Sequence, residues 1–168
     1  MRALLALEDG TIFHGRTFGS PKPSGGEVVF NTAMSGYQEI LTDPSYHGQI
    51  VVMTAPQIGN YGVHLGDEES AFPRAAGLVV REVTEVPAHP QASQSLPDFL
   101  AAHDRFGLTE VDTRALTLHL RARGCLRGWL TTAVNDPADA IARARALPTM
   151  DQVDAVPVVS TRAPYDWK

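Results

Sequence analysis

GEVVFNTAMSGYQEILTDPSYHGQIVV, from Gly26 to Val52, holds two readable strands and a long polar interval between them. EVVFN at 27–31 and QIVVM at 49–53 are β-branched runs of strand length. The interval places Asn31, Ser35, Gln38, Glu39, Thr42, Asp43, Ser45 and Tyr46 close together, and it is too polar for a buried strand. Two readings of it stand side by side. Its side chains can satisfy the local backbone in a compact turn, with Asp43 and Pro44 setting the turn and Ser45 bonding nearby. Alternatively, two rigid strands present the loop to a ligand or a neighbouring domain. Residue chemistry alone does not separate the two.

Working toward the N-terminus, ALLAL at 3–7, the Glu8-Asp9-Gly10 turn and TIFHG at 11–15 predict a hairpin. GSPKPSGG at 19–26 reads as a loop because of its prolines and glycines. Toward the C-terminus, PQIGNYG at 56–62 is a second glycine-rich turn, and GLVVREV at 77–83 reads as one further strand.

Helical signals then begin. In SLPDFLAAH, Leu96, Phe99 and Leu100 share one helical face. DTRALTLHLRARG at 112–124 opens on Asp112 as an N-cap and stops at Gly124. RGWLTT at 127–132 is strand-like, and DPADAIARARAL carries Asp136 as a cap with Pro137 in the first helical position. A strand-rich first half followed by helices alternating with strands predicts a layered α/β fold rather than repeated βαβ units. The body is expected to span 1–147, and 148–168, with three prolines and no sustained period, is expected to be a linker or arm.

Composition narrows the function classes. The chain has 168 residues, 43% of them hydrophobic, enough for one domain with its own core. Its formal charge is −5, and the basic residues are scattered apart from Arg114, Arg121, Arg123 and Arg127, so nucleic acid is not an expected partner. The apolar run ALLAL is too short for a signal-peptide core or a membrane span, so a cytoplasmic protein without a membrane partner is expected. A single cysteine, Cys125, excludes an internal disulfide and a multi-cysteine zinc site.

Cys125 is the first candidate nucleophile, since Arg123 and Arg127 could lower its pKa. A nucleophilic elbow, however, needs Gly-x-Cys-x-Gly between a strand and a following helix. The order Gly124-Cys125-Leu126-Arg127-Gly128 has the glycines at other offsets and the helix before it, so Cys125 reads as a buried structural residue. The histidines at 14, 47, 64, 89, 103 and 119 include no i, i+4 pair, so no metal ligands are assigned. His47 reads as a solvated loop residue, and Asp67, Glu68 and Glu69 as a solvated face or helix start. Neither Gly-x-Gly-x-x-Gly nor a Walker loop is present to cradle a nucleotide.

LEDGTIFHGRTFG, the whole stretch from Gly26 to Gly62, DEES, GLVVRE and DTRALTLHLRARG together resemble the N-terminal domain of the small subunit of carbamoyl phosphate synthase, in order from about Leu5 to Leu147. The resemblance implies a heteromeric ligase of arginine and pyrimidine biosynthesis. In it the small subunit hydrolyses glutamine and the large subunit joins the ammonia to bicarbonate with ATP. It also implies a three-layer swivelling β/β/α fold, layers rather than a barrel.

No cofactor is implied for this chain, ATP and Mg being used by the large subunit. The family's glutamine amidotransferase domain, with its Cys, His and Glu triad, follows this domain and has no counterpart in these residues. The resemblance therefore implies no catalytic residue here and an isolated chain without glutaminase activity. One position carries over: in TDPSY, Ser45 matches the serine that reaches the glutamine site of the neighbouring domain. The partners implied are the large subunit and, for the full-length small subunit, glutamine. A scaffold that docks the large subunit without touching substrate is the other class of function.

Overall fold

Arg2–Leu7 (β1) and Ile12–Gly19 (β2) pair antiparallel, with Arg2 opposite Arg16 and Ala6 opposite Ile12, as the Asp9-Gly10 turn predicts. Gly10 sits at φ 97, and the Asp9 carboxylate accepts a bond from the Thr11 amide at 2.9 Å, which closes the turn. The computed structural model that contains this hairpin describes residues 1–161, 163, 164 and 166.

Ser24–Asn31 (β3) comes next, so Ser24, Gly25 and Gly26, expected in a loop, belong to a strand. Their small size explains the difference, because a Cβ on Gly26 would collide with the Gly48 carbonyl and one on Gly25 with the ring of Trp129. Tyr37–Thr42 (α1) and a 3₁₀ turn at Pro44–Tyr46 fill the polar interval before Ile50–Met53 (β4). Short Gln57–Ile58 (β5) follows, then Gly77–Val79 (β6) and Glu82–Val83 (β7). The run expected as one strand is thus two. β6 continues the main sheet, whereas β7 leaves it to pair parallel with β5.

Leu96–Ala102 (α2) is capped by Ser95, whose hydroxyl accepts from the Asp98 amide. Phe106–Thr109 (β8) was not foreseen. Thr113–Arg123 (α3), Leu126–Thr131 (β9) and Pro137–Ala146 (α4) were, and the Asp112 and Asp136 carboxylates accept from the Ala115 and Asp139 amides as N-caps. Within the expected arm lie a 3₁₀ turn at Met150–Gln152 and Val156–Val159 (α5). Arg162, Tyr165, Trp167 and Lys168 of that arm fall outside the described residues.

The main sheet runs β1-β2-β8-β6-β4-β3-β9 and closes on itself. The α/β class holds, but the expected layers instead of a barrel do not describe this sheet. β9 pairs antiparallel with β1 on one side and β3 on the other, which leaves no open edge. One half of the barrel, β3-β4-β6-β8, is parallel, and the other, β2-β1-β9, is antiparallel.

Side-chain alternation builds three apolar layers on this frame. Leu5, Leu7, Val28, Ile50, Val52, Val79, Phe106 and Leu130 fill the interior. Leu116 and Leu120 of α3 join that cluster, so α3, which begins just past β8 and ends just before β9, stoppers the barrel at the carboxyl ends of the parallel strands. Outside the parallel half, Val51, Met53, Leu78 and Val80 pack against Tyr37, Leu41, Leu96, Phe99 and Leu100 of α1 and α2. Outside the antiparallel half, Leu4 and Ala6 meet Ala140 of α4. The barrel is therefore coated on both faces, and the segments that lead into β4, β6 and β8 lie at the amino ends of the parallel strands.

Candidate functional site

The loop that holds Ser45 is fixed from both ends. Upstream, α1 is unusual in burying polar side chains, with Gln38 only 1% exposed and Thr42 fully buried. Both are satisfied, as burial of polar groups requires. The Gln38 amide donates to the His64 carbonyl at 2.7 Å while its oxygen accepts from the His64 amide at 2.8 Å, a two-bond clamp on one backbone residue. The Thr42 hydroxyl donates to the Gln38 carbonyl at 2.8 Å and accepts from the Glu69 amide at 3.0 Å. Ser70 donates its hydroxyl proton to the Thr42 carbonyl at 2.6 Å.

An aromatic pair anchors the start of α1. Tyr37 and Tyr61 stack with ring centroids 4.3 Å apart. The Tyr37 hydroxyl donates to the Gly62 carbonyl at 2.6 Å, and the Tyr61 oxygen accepts from the Gly36 amide at 2.6 Å. Burial pushes both phenols above the ordinary tyrosine range, so they stay protonated and act as hydrogen-bonding struts.

Downstream of α1, the Asp43 carboxylate accepts from the Ser45 amide at 2.8 Å, capping the 3₁₀ turn that Pro44 opens. Asn31 donates to the Tyr46 hydroxyl at 3.0 Å, tying the loop back to the far end of β3. The polar groups thus satisfy local backbone, as the first of the two readings has it, and Ser45 is left exposed. Its hydroxyl has no hydrogen-bond partner among the described residues. Ser45 lies outside the lining of the cavity that its neighbours His47 and Gly48 help to form.

Other residues singled out in the sequence fall elsewhere. Cys125 is exposed rather than buried, at the junction of α3 and β9. Partial desolvation and the Glu27 charge raise its pKa, and Arg127, expected to lower it, is engaged with the Glu8 carboxylate. His47 is half-buried, not solvated, and its Nδ1 is buried without a partner among the described residues. Asp67, Glu68 and Glu69 lie on an exposed loop rather than a helix, where Asp67 approaches His64 at 3.3 Å. His103 bonds the Phe99 carbonyl at 2.8 Å, a local helix-end contact. Among the described residues, no three His, Cys, Asp or Glu side chains stand close enough to hold a metal ion. No helix among them is long and apolar enough to cross a membrane.

Two arrangements were not foreseen. The Tyr37–Tyr61 strut was signalled only by the tyrosine inside the glycine-rich PQIGNYG turn. His119 meets Asp9 at 2.7 Å and Thr11 at 3.4 Å, a set that superficially resembles a hydrolytic triad. Both contacts use the same Nε2 atom. A proton relay needs the acid on one ring nitrogen and the nucleophile on the other, so this cluster fastens α3 to the β1–β2 turn.

Fold and site together define a closed α/β domain that presents a polar crossover loop. Residues 5–130 match the family described as carbamoyl-phosphate synthase small chain, CPSase domain, and the chain belongs to that family. It is similar to the carbamoyl phosphate synthase small chains of Nitratidesulfovibrio vulgaris, at 51% identity over 99% of this chain and 44% of that one, and of Solidesulfovibrio magneticus, at 48% over 99% and 44%. The Synechococcus sp. small chain is 48% identical over 99% of this chain and 42% of its own length. This chain thus spans less than half of the relatives it matches.

Proposed function

We propose that this chain is the leading domain of the glutamine-hydrolysing subunit of carbamoyl phosphate synthase. In this reading the full-length small subunit releases ammonia from glutamine, and the large subunit uses it with bicarbonate and ATP, in the cytoplasm, for arginine and pyrimidine synthesis. ATP and Mg²⁺ belong to the large subunit, and no residue of this chain is assigned to them. The chain supplies no catalytic residue. Residues 1–147 form the domain and 148–168 the arm toward the amidotransferase part. In this reading the three layers of the family's β/β/α fold are the parallel half of the closed sheet, its antiparallel half, and the outer helices α1 and α2.

The observation that carries the site reading is the state of Ser45. Asp43 holds its amide, Pro44 fixes the approach, and its hydroxyl is exposed without a partner among the described residues. A short hydroxyl on a pinned turn offers a hydrogen bond to a polar substrate at little entropic cost. One such neutral bond contributes roughly 0.5–1.5 kcal/mol, so Ser45→Ala in the assembled enzyme raises the KM for glutamine about two- to tenfold with kcat nearly unchanged. An unchanged KM favours the second reading, a scaffold that docks the large subunit without touching glutamine.

A further inference from the structure

At the amino ends of β3, β4, β6 and β8, the segments that lead into the four parallel strands line an open cavity of about 240 Å³. Each segment brings a charged or polar side chain to its wall: Lys22 before β3, His47 before β4, Arg74 before β6, and Asp104 with Arg105 before β8. The balance is cationic, because Asp104 is the single carboxylate on the wall. It reaches Lys22 at 3.4 Å.

Neither arginine has an acidic partner among the described residues. Arg105 is half-buried and spends two donors, Nε and Nη2, on one acceptor, the Pro73 carbonyl, at 3.2 and 2.9 Å. Arg74 lies over the Phe72 ring at 4.3 Å, donates Nε to the Ser70 hydroxyl at 3.0 Å, and makes a long 3.4 Å contact to the Val158 carbonyl. Half-buried guanidinium groups that meet only neutral acceptors retain their attraction for an anion. Burial also pulls the Arg105 pKa down, against the opposing pull of the Asp104 charge. His47 also lines this wall, and its Nδ1 is buried without a partner among the described residues.

Ligands of parallel sheets usually bind at the carboxyl ends of the strands. Here that end is stoppered by Leu116 and Leu120 of α3, while the amino end is open and positively charged. The volume exceeds the ~30 Å³ of one water several times over, room for a small oxyanion that keeps part of its hydration. We propose that this cavity binds a small oxyanion through Arg74, Arg105 and Lys22, either a free anion or a carboxylate presented by the remainder of the small subunit. The site is separate from the glutamine reading of Ser45 and is tested without glutamine.

The experiment is a calorimetric titration of this chain with inorganic phosphate at fixed ionic strength. Saturable binding is expected, weakened about tenfold or more by Arg105→Gln and by Arg74→Gln, as loss of a charge-assisted bond requires. Arg105 also braces the Pro73 carbonyl, so two milder variants keep the test decisive if R105Q does not fold. Lys22→Gln, on an exposed side chain, weakens binding severalfold. Asp104→Asn tightens it severalfold by removing the competing carboxylate, and asparagine suits the φ of 55 at that position. Arg114→Gln, on exposed α3 surface, leaves the isotherm unchanged.

The same titration of a full-length small subunit separates the two sources. Binding by both proteins identifies a free anion, and binding by this chain alone identifies a carboxylate of the remainder. Either result upholds the site. Absence of saturable binding to both proteins overturns it, as does a phosphate affinity that Lys22→Gln and Asp104→Asn shift in the same direction.

Discussion

The two halves of the barrel solve the same burial problem with different chemistry. In the antiparallel half, β1 and β2 meet through a tight turn, and Leu4 and Ala6 are covered by Ala140 of α4. Its polar tie is the Glu8–Arg127 pair, in which the Glu8 carboxylate also accepts from the Arg127 amide at 2.7 Å. In the parallel half, each strand needs a crossover connection, and those connections bring buried Tyr37, Gln38 and Thr42 into the outer layer. One half is a structural wall. The other carries polar groups that fix loops in space, and Ser45 and the cationic cavity both belong to it.

Breaking the parallel half at its tightest backbone contact is expected to cost most. A methyl on Gly26 runs into the Gly48 carbonyl, and because that neighbour is backbone, the segment between Ser45 and β4 must shift. Gly26→Ala should destabilise the chain by about 3 kcal/mol, the upper part of the usual overpacking range, read as a lowered urea midpoint at unchanged m-value. Wild-type stability in this variant removes the close approach from the account.

Tyr37→Phe should cost less, about 1–2 kcal/mol, because the ring stack on Tyr61 is kept and only the bond to the Gly62 carbonyl is lost. The same urea titration measures it. A neutral result would show that the strut is packing alone.

The smallest effect sharpens the contrast from the other side. The side-chain hydrogen bond from Arg127 holds the Glu8 carboxyl below its ordinary 4.5, although burial acts in the opposite direction. A carboxyl whose folded pKa is depressed stabilises the fold above its unfolded value, and that contribution fades as pH falls through the folded value. Wild type should therefore lose its margin over Glu8→Gln on acidification from about pH 5 downward, measured as converging Tm values. A margin independent of pH would detach the pair from the stability of the antiparallel half.

Legibility in the sequence follows the same division. The hairpin, α3 and α4 were readable because a turn dipeptide, two aspartate caps and a proline at the first helical position act locally. α1 was hidden because its buried face alternates Tyr37 and Leu41 with Gln38 and Thr42, so polarity masked the helical period. The split between β6 and β7 was hidden because Val80 and Arg81 look like strand interior, although the chain there turns away to meet β5. β8 is four residues long and contains Gly107, whose place is dictated by the Phe18 ring that a side chain there would strike. Closure of the sheet by β9 joins Leu4 to Thr131 and Ser24 to Leu130, pairings that no local pattern encodes. Ser45 was named through family resemblance, whereas the cationic cavity, assembled from four separate segments, had no linear signature.

The pinned turn at Ser45 is proposed as half of a glutamine site. The most direct measurement compares glutamine-dependent with ammonia-dependent carbamoyl phosphate synthesis by the assembled enzyme carrying Ser45→Phe. A bulky ring on the exposed turn should obstruct the proposed glutamine site and cut the glutamine-dependent kcat/KM by about tenfold or more, beyond the loss of a single bond, while ammonia-dependent synthesis continues at the wild-type rate. Untouched glutamine kinetics, or equal damage to both rates, would contradict the account and leave the loop a structural element.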